Sequence, residues 1–393
     1  MMLLVFTLAP SFASPPPPGR VLAEFVLCNY TWDAAHSEAA YTADGRFIVA
    51  NNVITGIKVW RGVTFLTVPR WRPGVPSTLN TLEPQPGGLP PLLRPFPSWE
   101  SNALGDCNAI QYVQSMEIDE VAGLMWVLDV GRVNLFGGTV DNSCPPKLVV
   151  VDLSSARAVS TYVFPDAVAP RNASFLNDIV LDVQRRRAFI SDAGTGALVA
   201  FDAATSTSRR YADASTRADP SVHFEIDGVK YPPEQFTTPA DGIALTPDGS
   251  RVFYCALQGL RLWSVDAGKL ADVDAPAAAV LATQRGHGAK PSPSDGIVFD
   301  CTGRLWFGGL TTSALYAAPA GFTTVANATL VQASNETLHW VDTFAFDGDA
   351  LLLTSNRLDR YFVETMRFDG SEGANFRVVR FESGARSYMV GPC

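Results

Sequence analysis

Six stretches of this chain share one short pattern: a polar residue, one further residue, then an apolar-x-apolar strand. They are Thr55-Gly-Ile57-Lys-Val59, Gln114-Ser-Met116-Glu-Ile118, Asn177-Asp-Ile179-Val-Leu181, Asp241-Gly-Ile243-Ala-Leu245, Asp295-Gly-Ile297-Val-Phe299 and Asp342-Thr-Phe344-Ala-Phe346. Their first apolar residues lie 59, 63, 64, 54 and 47 positions apart. A second apolar strand follows each after a short turn, as in Met125-Trp-Val-Leu128 and Leu305-Trp-Phe-Gly308. Third strands are visible in several units, including Lys147-Leu-Val-Val-Val-Asp152 and Ala197-Leu-Val-Ala-Phe-Asp202. Turns such as Thr246-Pro-Asp-Gly249 and Cys301-Thr-Gly303 carry hairpin chemistry. Repeats of this length, built of hairpin-linked strands, mark β-propeller blades. The spacing predicts an all-β, six-bladed β-propeller. The segment Val21–Leu27 is expected to add a strand to the last blade and close the ring, leaving no long free edge. No helical periodicity long enough for βαβ units interrupts the pattern.

The repeats also place the chemistry. In a propeller each first strand lines the central channel, and the residue two before its first apolar position stands where the chain enters that strand. The six residues there are Thr55, Gln114, Asn177, Asp241, Asp295 and Asp342, all polar, the last three carboxylates in successive blades. Asp178 joins this candidate ligand-binding set. Second strands return to the same face near Asp129, Asp192 and Asn356, and Asn356 is added to the set. Carboxylates converging in a concave site repel one another unless a cation or protons intervene. A hard metal such as Ca²⁺ and a protonated amine both fit. A competing expectation is that each Asp before Gly only caps its own turn.

His36, His223, His287 and His339 show no metal-ligand spacing, though His339 lies three residues before Asp342. Trp126, Trp263 and Trp306 read as core; Trp60, Trp71 and Trp99 are candidates for the channel wall. The sequence has no G-x-S-x-G, H-E-x-x-H, Walker loop or EF-hand loop.

The ends and the surface point to export. Met1-Met2 precede the apolar run Leu3–Ala9, and Ser11-Phe12-Ala13 offers small residues for signal cleavage, so residues 1–13 read as a signal peptide. A Pro-rich segment, 14–20, follows, and the propeller is expected over 21–389. Four N-x-S/T sequons, at Asn29, Asn172, Asn327 and Asn335, favour a secreted, extracellular glycoprotein. The six cysteines, Cys28, Cys107, Cys144, Cys255, Cys301 and Cys393, form no C-x-x-C pair, and their connectivity stays open. Net charge is −9, from 39 acidic and 30 basic residues, which weighs against nucleic acid as a partner. No stretch after the leader reaches the length of a membrane span. Oligomeric state is not legible.

Several motifs resemble the yellow / major royal jelly protein family. They run in order: Gly56-Ile-Lys-Val-Trp60, Val68-Pro-Arg-Trp-Arg-Pro-Gly-Val-Pro76, Leu93-Arg-Pro-Phe-Pro-Ser-Trp-Glu-Ser-Asn102 and Leu124-Met-Trp-Val-Leu-Asp-Val-Gly131. Cys144–Asp152, Phe175–Asp182, Ile190–Gly194 and Thr354–Leu358 continue the series. The resemblance spans roughly 48–388 and implies a secreted six-bladed protein with a Cys107–Cys144 disulfide. It also implies a small-molecule site in the channel. Members of that family include dopachrome-converting enzymes, binders of biogenic amines and nutritive secretions.

The expected function is therefore binding or tautomerisation of amine or catechol-type aromatics, with Asp241 and Asp295 as the candidate catalytic carboxylates and no redox cofactor. Two alternatives stand beside it. Asp241–Gly249 and Asp295–Gly303 also look like blades of Ca²⁺-dependent lactonases of the gluconolactonase type, with Asn177, Asp241 and Asp295 as metal ligands. No glutamate in the first repeat can be assigned as a further ligand to that metal. The other alternative is a structural or nutritive secreted protein without catalysis.

Overall fold

The computed structural model describes residues 18–231, 237–391 and 393. The expected signal peptide, 1–13, and residues 14–17 lie outside the described residues. Six four-stranded antiparallel sheets form the blades of a β-propeller. Their inner strands are Ile57–Trp60, Val113–Asp119, Leu176–Asp182, Ala240–Leu245, Ile297–Phe299 and Trp340–Asp347. Each packs beside the inner strand of the next blade, and that of blade 6 packs beside that of blade 1. Blade 6 is completed from both ends of the chain: Arg20–Phe25 pairs antiparallel with Phe376–Phe381, from Arg20 opposite Arg380 to Phe25 opposite Phe376. The expected closing strand is therefore present, and it starts one residue before Val21.

The repeat exists because its apolar positions fill the gaps between blades. The first apolar residue of each unit (Ile57, Met116, Ile179, Ile243, Ile297 and Phe344) is 4% exposed or less. Burial of such a side chain stabilises by about 1.5–3 kcal/mol. The alternate positions face the channel, and on the axis Lys58 pairs with Glu117 at 2.9 Å. The opposite end of the channel from the acidic residues is closed by Tyr388, whose hydroxyl donates to the Leu181 carbonyl at 2.9 Å.

One detail departs from the repeat reading. In blades 2, 3, 4 and 6 the polar residue does not precede the inner strand; it sits inside it, at a β-bulge. The register shifts between Val113 and Met116, Leu176 and Ile179, Ala240 and Ile243, and Val341 and Phe344. A bulge leaves residues unpaired and re-aims their side chains. That is how Gln114, Asn177, Asp241 and Asp342 turn to the channel mouth. In blades 1 and 5 Thr55 and Asp295 do precede the strand.

Two disulfides are formed, Cys107–Cys144 and Cys301–Cys393, while Cys28 and Cys255 are buried free thiols. Among the described residues no helix is long and apolar enough to cross a membrane.

Candidate functional site

A cavity of about 210 Å³ opens at the channel mouth. Its floor is built from the inner strands: Gln114, Asn177, Asp241, Asp295 and Asp342. Its walls come from loops on four different blades. Trp71 lies between the second and third strands of blade 1, and Arg132, Leu135 and Phe136 lie on the matching loop of blade 2. The Cys107–Cys144 disulfide holds the foot of that second loop. Tyr231 ends a two-stranded hairpin, Phe224–Ile226 with Val229–Tyr231, inserted between blades 3 and 4. Phe362 closes the short helix Leu358–Phe362 after the second strand of blade 6.

The wall rings brace one another. Trp71, Phe136 and Phe362 pack with centroids 5.3–5.6 Å apart, and Tyr231 meets Trp340 edge-on at 5.2 Å. Such contacts fix ring orientation beyond what area burial does.

The floor is held by hydrogen bonds that cross blade boundaries. Asn177 donates its amide to Asp241, joining blades 3 and 4. Trp340 Nε1 donates to Asp295 Oδ2 at 2.7 Å, joining blades 6 and 5. Asn356 donates to Asp342 Oδ2 at 2.8 Å and to the Ile54 carbonyl at 3.1 Å. Neither Asp241 nor Asp295 caps a turn among the described residues. The glycines after them answer a different need. A Cβ on Gly242 would strike the Asp295 carbonyl, and one on Gly296 the Asp342 carbonyl. The Asp-Gly pair thus serves close packing of successive inner strands while the carboxylate faces the cavity.

Burial and mutual repulsion push these carboxyls up. Asp241 stands well above the usual carboxylate range, because of burial first and then Asp178 and Asp342, with Lys290 opposing. Asp295 stands well above it for the same first reason, then Asp342 and Asp241, with the Trp340 bond opposing. Burial lifts Asp342 to about 6 against the bonds from Asn356 and Thr343. Asp178, deeper on the axis and facing Lys58, is lifted by burial to about 7. These groups share protons as a set, not one by one.

A family model described as Major royal jelly protein matches residues 111–385. The chain belongs to that family. Among its relatives, Protein yellow of Drosophila erecta is 35% identical over 158 residues, 39% of this chain and 28% of that protein. Protein yellow of Drosophila guanche is 30% identical over 239 residues, 58% of this chain and 41% of that protein. The matched region spans under half of those relatives' length. A solved structure of a luciferin-regenerating enzyme covers 94% of this chain and 97% of its own at 14% identity and a TM-score of 0.49.

In this royal jelly family protein the expected ring is only partly the cavity floor. Gln114, Asn177, Asp241, Asp295 and Asp342 line the cavity; Asn356 stands behind Asp342 and Asp178 below it. Thr55 bonds Thr67 Oγ1 at 2.9 Å inside blade 1 and does not line it. Asp129 and Asp192, expected near the same face, brace loops instead. Asp129 accepts from the Gln111, Tyr112 and Gly131 amides and pairs with Lys147 at 3.3 Å. Asp192 accepts from Ser174, the Phe175 and Gly194 amides and Thr195. His339 is buried against Asp359 at 3.0 Å and does not line the cavity.

Of the three candidate channel tryptophans, Trp71 reaches the cavity. Trp60 bonds the Glu120 carbonyl, and Trp99 stacks between Trp32 and His36. Among the described residues no three His, Cys, Asp or Glu side chains are grouped to hold a metal ion. The set Asn177, Asp241 and Asp295 is engaged instead with Trp340 and with itself. These donors do not fit a bound Ca²⁺.

Sequence reasoning missed Arg132, Phe136, Phe175, Tyr231, Trp340 and Phe362. For two of them a signal existed. The position two before the polar residue is aromatic in three repeats: Tyr112, Phe175 and Trp340.

Proposed function

We propose that the cavity binds a small cationic aromatic amine of the catechol or phenol class. The observation that carries this is a floor of buried carboxylates beneath walls of mutually packed aromatic rings. An ammonium group meets Asp241, Asp295 and Asp342, and the ligand ring lies against Trp71, Phe136 and Trp340. The turnover this arrangement supports is a tautomerisation. One carboxylate, Asp241 or Asp295, takes a proton from ring or side-chain carbon. In a ligand at the quinone level the electron pair moves to the quinone carbonyl oxygen, and the other carboxyl, held protonated by its surroundings, returns a proton there. Atoms and charge balance without any redox partner. The Protein yellow relatives agree with the reading only at the level of family.

The same proposal includes export. Two disulfides suit an oxidising compartment. Asn172, Asn327 and Asn335 are exposed and open to glycosylation, whereas Asn29 is half-buried.

Titration calorimetry of the secreted protein with dopamine and tyramine tests the reading, with and without chelator. Amine binding that survives chelation and is lost in Asp241→Asn and Asp295→Asn supports it. Chelator-sensitive lactone hydrolysis would favour the metal-dependent alternative. Binding of neither class, with both substitutions silent, would favour a structural or nutritive protein.

A further inference from the structure

We infer that Arg132 is the residue that reads the ring oxygens of the ligand, so that the cavity prefers hydroxylated aromatic amines to bare ones. The inference rests on the amine reading above and adds a second, cationic pole to the site.

Arg132 lines the same cavity as Asp241, Asp295 and Asp342 but belongs to a different wall. It sits on the blade 2 loop tethered by the Cys107–Cys144 disulfide. Its Nη1 donates to the Asn172 carbonyl at 2.7 Å and its Nη2 to the Ala173 carbonyl at 3.3 Å. Both partners are neutral backbone groups of the loop entering blade 3. They orient the guanidinium without neutralising it. Its Nε is buried and has no hydrogen-bond partner among the described residues. Guanidinium carries five N–H donors, so donors remain.

Three other cations of the blades have acidic partners. Lys58 has Glu117 at 2.9 Å, Lys147 has Asp129 at 3.3 Å, and Arg210 has Asp192 at 3.4 Å. Lys290 Nζ is buried with no hydrogen-bond partner among the described residues, but Lys290 does not line the cavity and acts on Asp241 from outside it. Arg132 alone among the cavity-lining residues is basic. Burial lowers its proton affinity, and the groups that oppose this are Tyr112 and Asp192, not the floor carboxylates. Asp192 is itself saturated by the Ser174 hydroxyl and backbone amides. The two poles of the cavity are therefore distinct.

The guanidinium keeps N–H donors beyond its two backbone bonds, and an acceptor on a ligand would engage them. The ligand class already argued has the means. With its ammonium on the acidic floor and its ring against the aromatic wall, a phenethylamine skeleton leaves ring positions for Arg132. A hydroxyl or quinone oxygen there accepts from the guanidinium, and negative charge developing on that oxygen during a proton shift is met by a fixed positive group. A ring without oxygens offers the cavity-lining guanidinium no acceptor. A site built to bond a hydroxyl rejects the analogue lacking it.

The test compares dopamine, tyramine and phenethylamine by calorimetry on the wild-type protein, Arg132→Met and Arg132→Lys. Far-ultraviolet circular dichroism and thermal melting serve as folding controls. Wild type is expected to hold dopamine about tenfold or more tighter than phenethylamine. Arg132→Met is expected to erase that preference while keeping phenethylamine affinity, and Arg132→Lys to restore part of it. A second readout is optical. The bound catechol should ionise at lower pH in wild type than in Arg132→Met, seen in its ultraviolet difference spectrum. Equal wild-type affinity for dopamine and phenethylamine, or a preference intact in folded Arg132→Met, would overturn the inference and leave the amine reading standing. Absence of any amine binding to wild type would overturn both.

Discussion

The Trp340 indole donates to Asp295 Oδ2 at 2.7 Å, so one side chain of blade 6 is both a cavity wall and a clamp on the carboxylate of blade 5. The bond opposes the upward push that burial gives Asp295. In Trp340→Phe the carboxyl loses its donor and holds its proton to higher pH. Amine affinity at pH 7 is expected to fall by about tenfold, since a hydrogen bond to a charged group is worth roughly 1.5–3 kcal/mol. The pH at half-maximal affinity should move up. Calorimetry across pH 5–9 checks this; an unshifted profile in the variant would sink it.

Amine binding should release protons. Burial lifts Asp342 to about 6 and Asp178 to about 7, and pushes Asp241 and Asp295 well above the carboxylate range. At pH 5–6 the free ring is mostly protonated, and a bound ammonium favours the ionised form. Affinity is therefore expected to rise with pH between 5 and 8, where the ligand amine stays charged. Heats measured in two buffers of different ionisation enthalpy report the protons directly. Affinity that is flat or falls over this range would contradict the assignment.

The same carboxyls weaken the fold at alkaline pH. Their native-state values are raised, so above the ordinary carboxylate range the folded protein holds protons that the unfolded chain has released. Stability then decreases as pH rises through about 6–7 for Asp342 and Asp178, and further for Asp241 and Asp295. Asp241→Asn removes one member and keeps an acceptor for Asn177. Its melting temperature at pH 8 is expected to exceed wild type by on the order of 1 °C per kcal/mol gained, with the gap narrowing toward pH 5. Amine binding should be lost in the same variant. A variant less stable than wild type at pH 8 would refute the repulsion argument.

Cys107 and Cys144 are 37 residues apart in sequence, and their bridge anchors the loop that carries Arg132 and Phe136. Closing a loop of that length stabilises by about 4 kcal/mol on a chain-entropy model. Replacing both cysteines with serine is expected to lower the melting temperature and to weaken ligand binding, because the loop loses its foot. Cys301 and Cys393 lie away from the cavity lining, so replacing that pair should lower stability and spare affinity. Equal loss of affinity in both double variants would contradict the anchoring role.

Glycan occupancy should follow exposure. Asn335 is exposed, and its oxygen accepts from Ser313 Oγ at 3.1 Å. Asn29 is half-buried, its oxygen taken by the Tyr30 amide at 2.7 Å and Trp32 Nε1 at 2.8 Å. Peptide mapping after enzymatic deglycosylation of secreted protein should find Asn172, Asn327 and Asn335 modified and Asn29 least. A secreted chain whose mass is unchanged by deglycosylation would count against all four.

How far the sequence reaches is visible in particular residues. Ile57, Met116, Ile179, Ile243, Ile297 and Phe344 recur at blade spacing because each must fill the same gap between sheets, and the six-bladed ring was legible from them alone. The polar residue two before each was legible for the same reason. What it does was not. Asp241 and Asp342 reach the cavity through bulges, whereas Asp129 and Asp192, equally acidic and near the same face, are consumed by backbone amides. Sequence shows where a carboxylate is available, not how many donors already surround it.

Blade number, ring closure by the first strand and the row of polar residues at the channel mouth follow from local patterns, which repeat because each blade solves the same packing problem. The aromatic walls, the lone guanidinium of Arg132 and the upward shift of the carboxyls were decided by tertiary structure. Trp71 and Arg132 stand on loops of blades 1 and 2, Tyr231 on a hairpin between blades 3 and 4, and Phe362 on a short helix of blade 6, four excursions of unrelated sequence. Only ring closure brings them over one floor, and only the burial that follows makes Asp241 and Asp295 hold their protons.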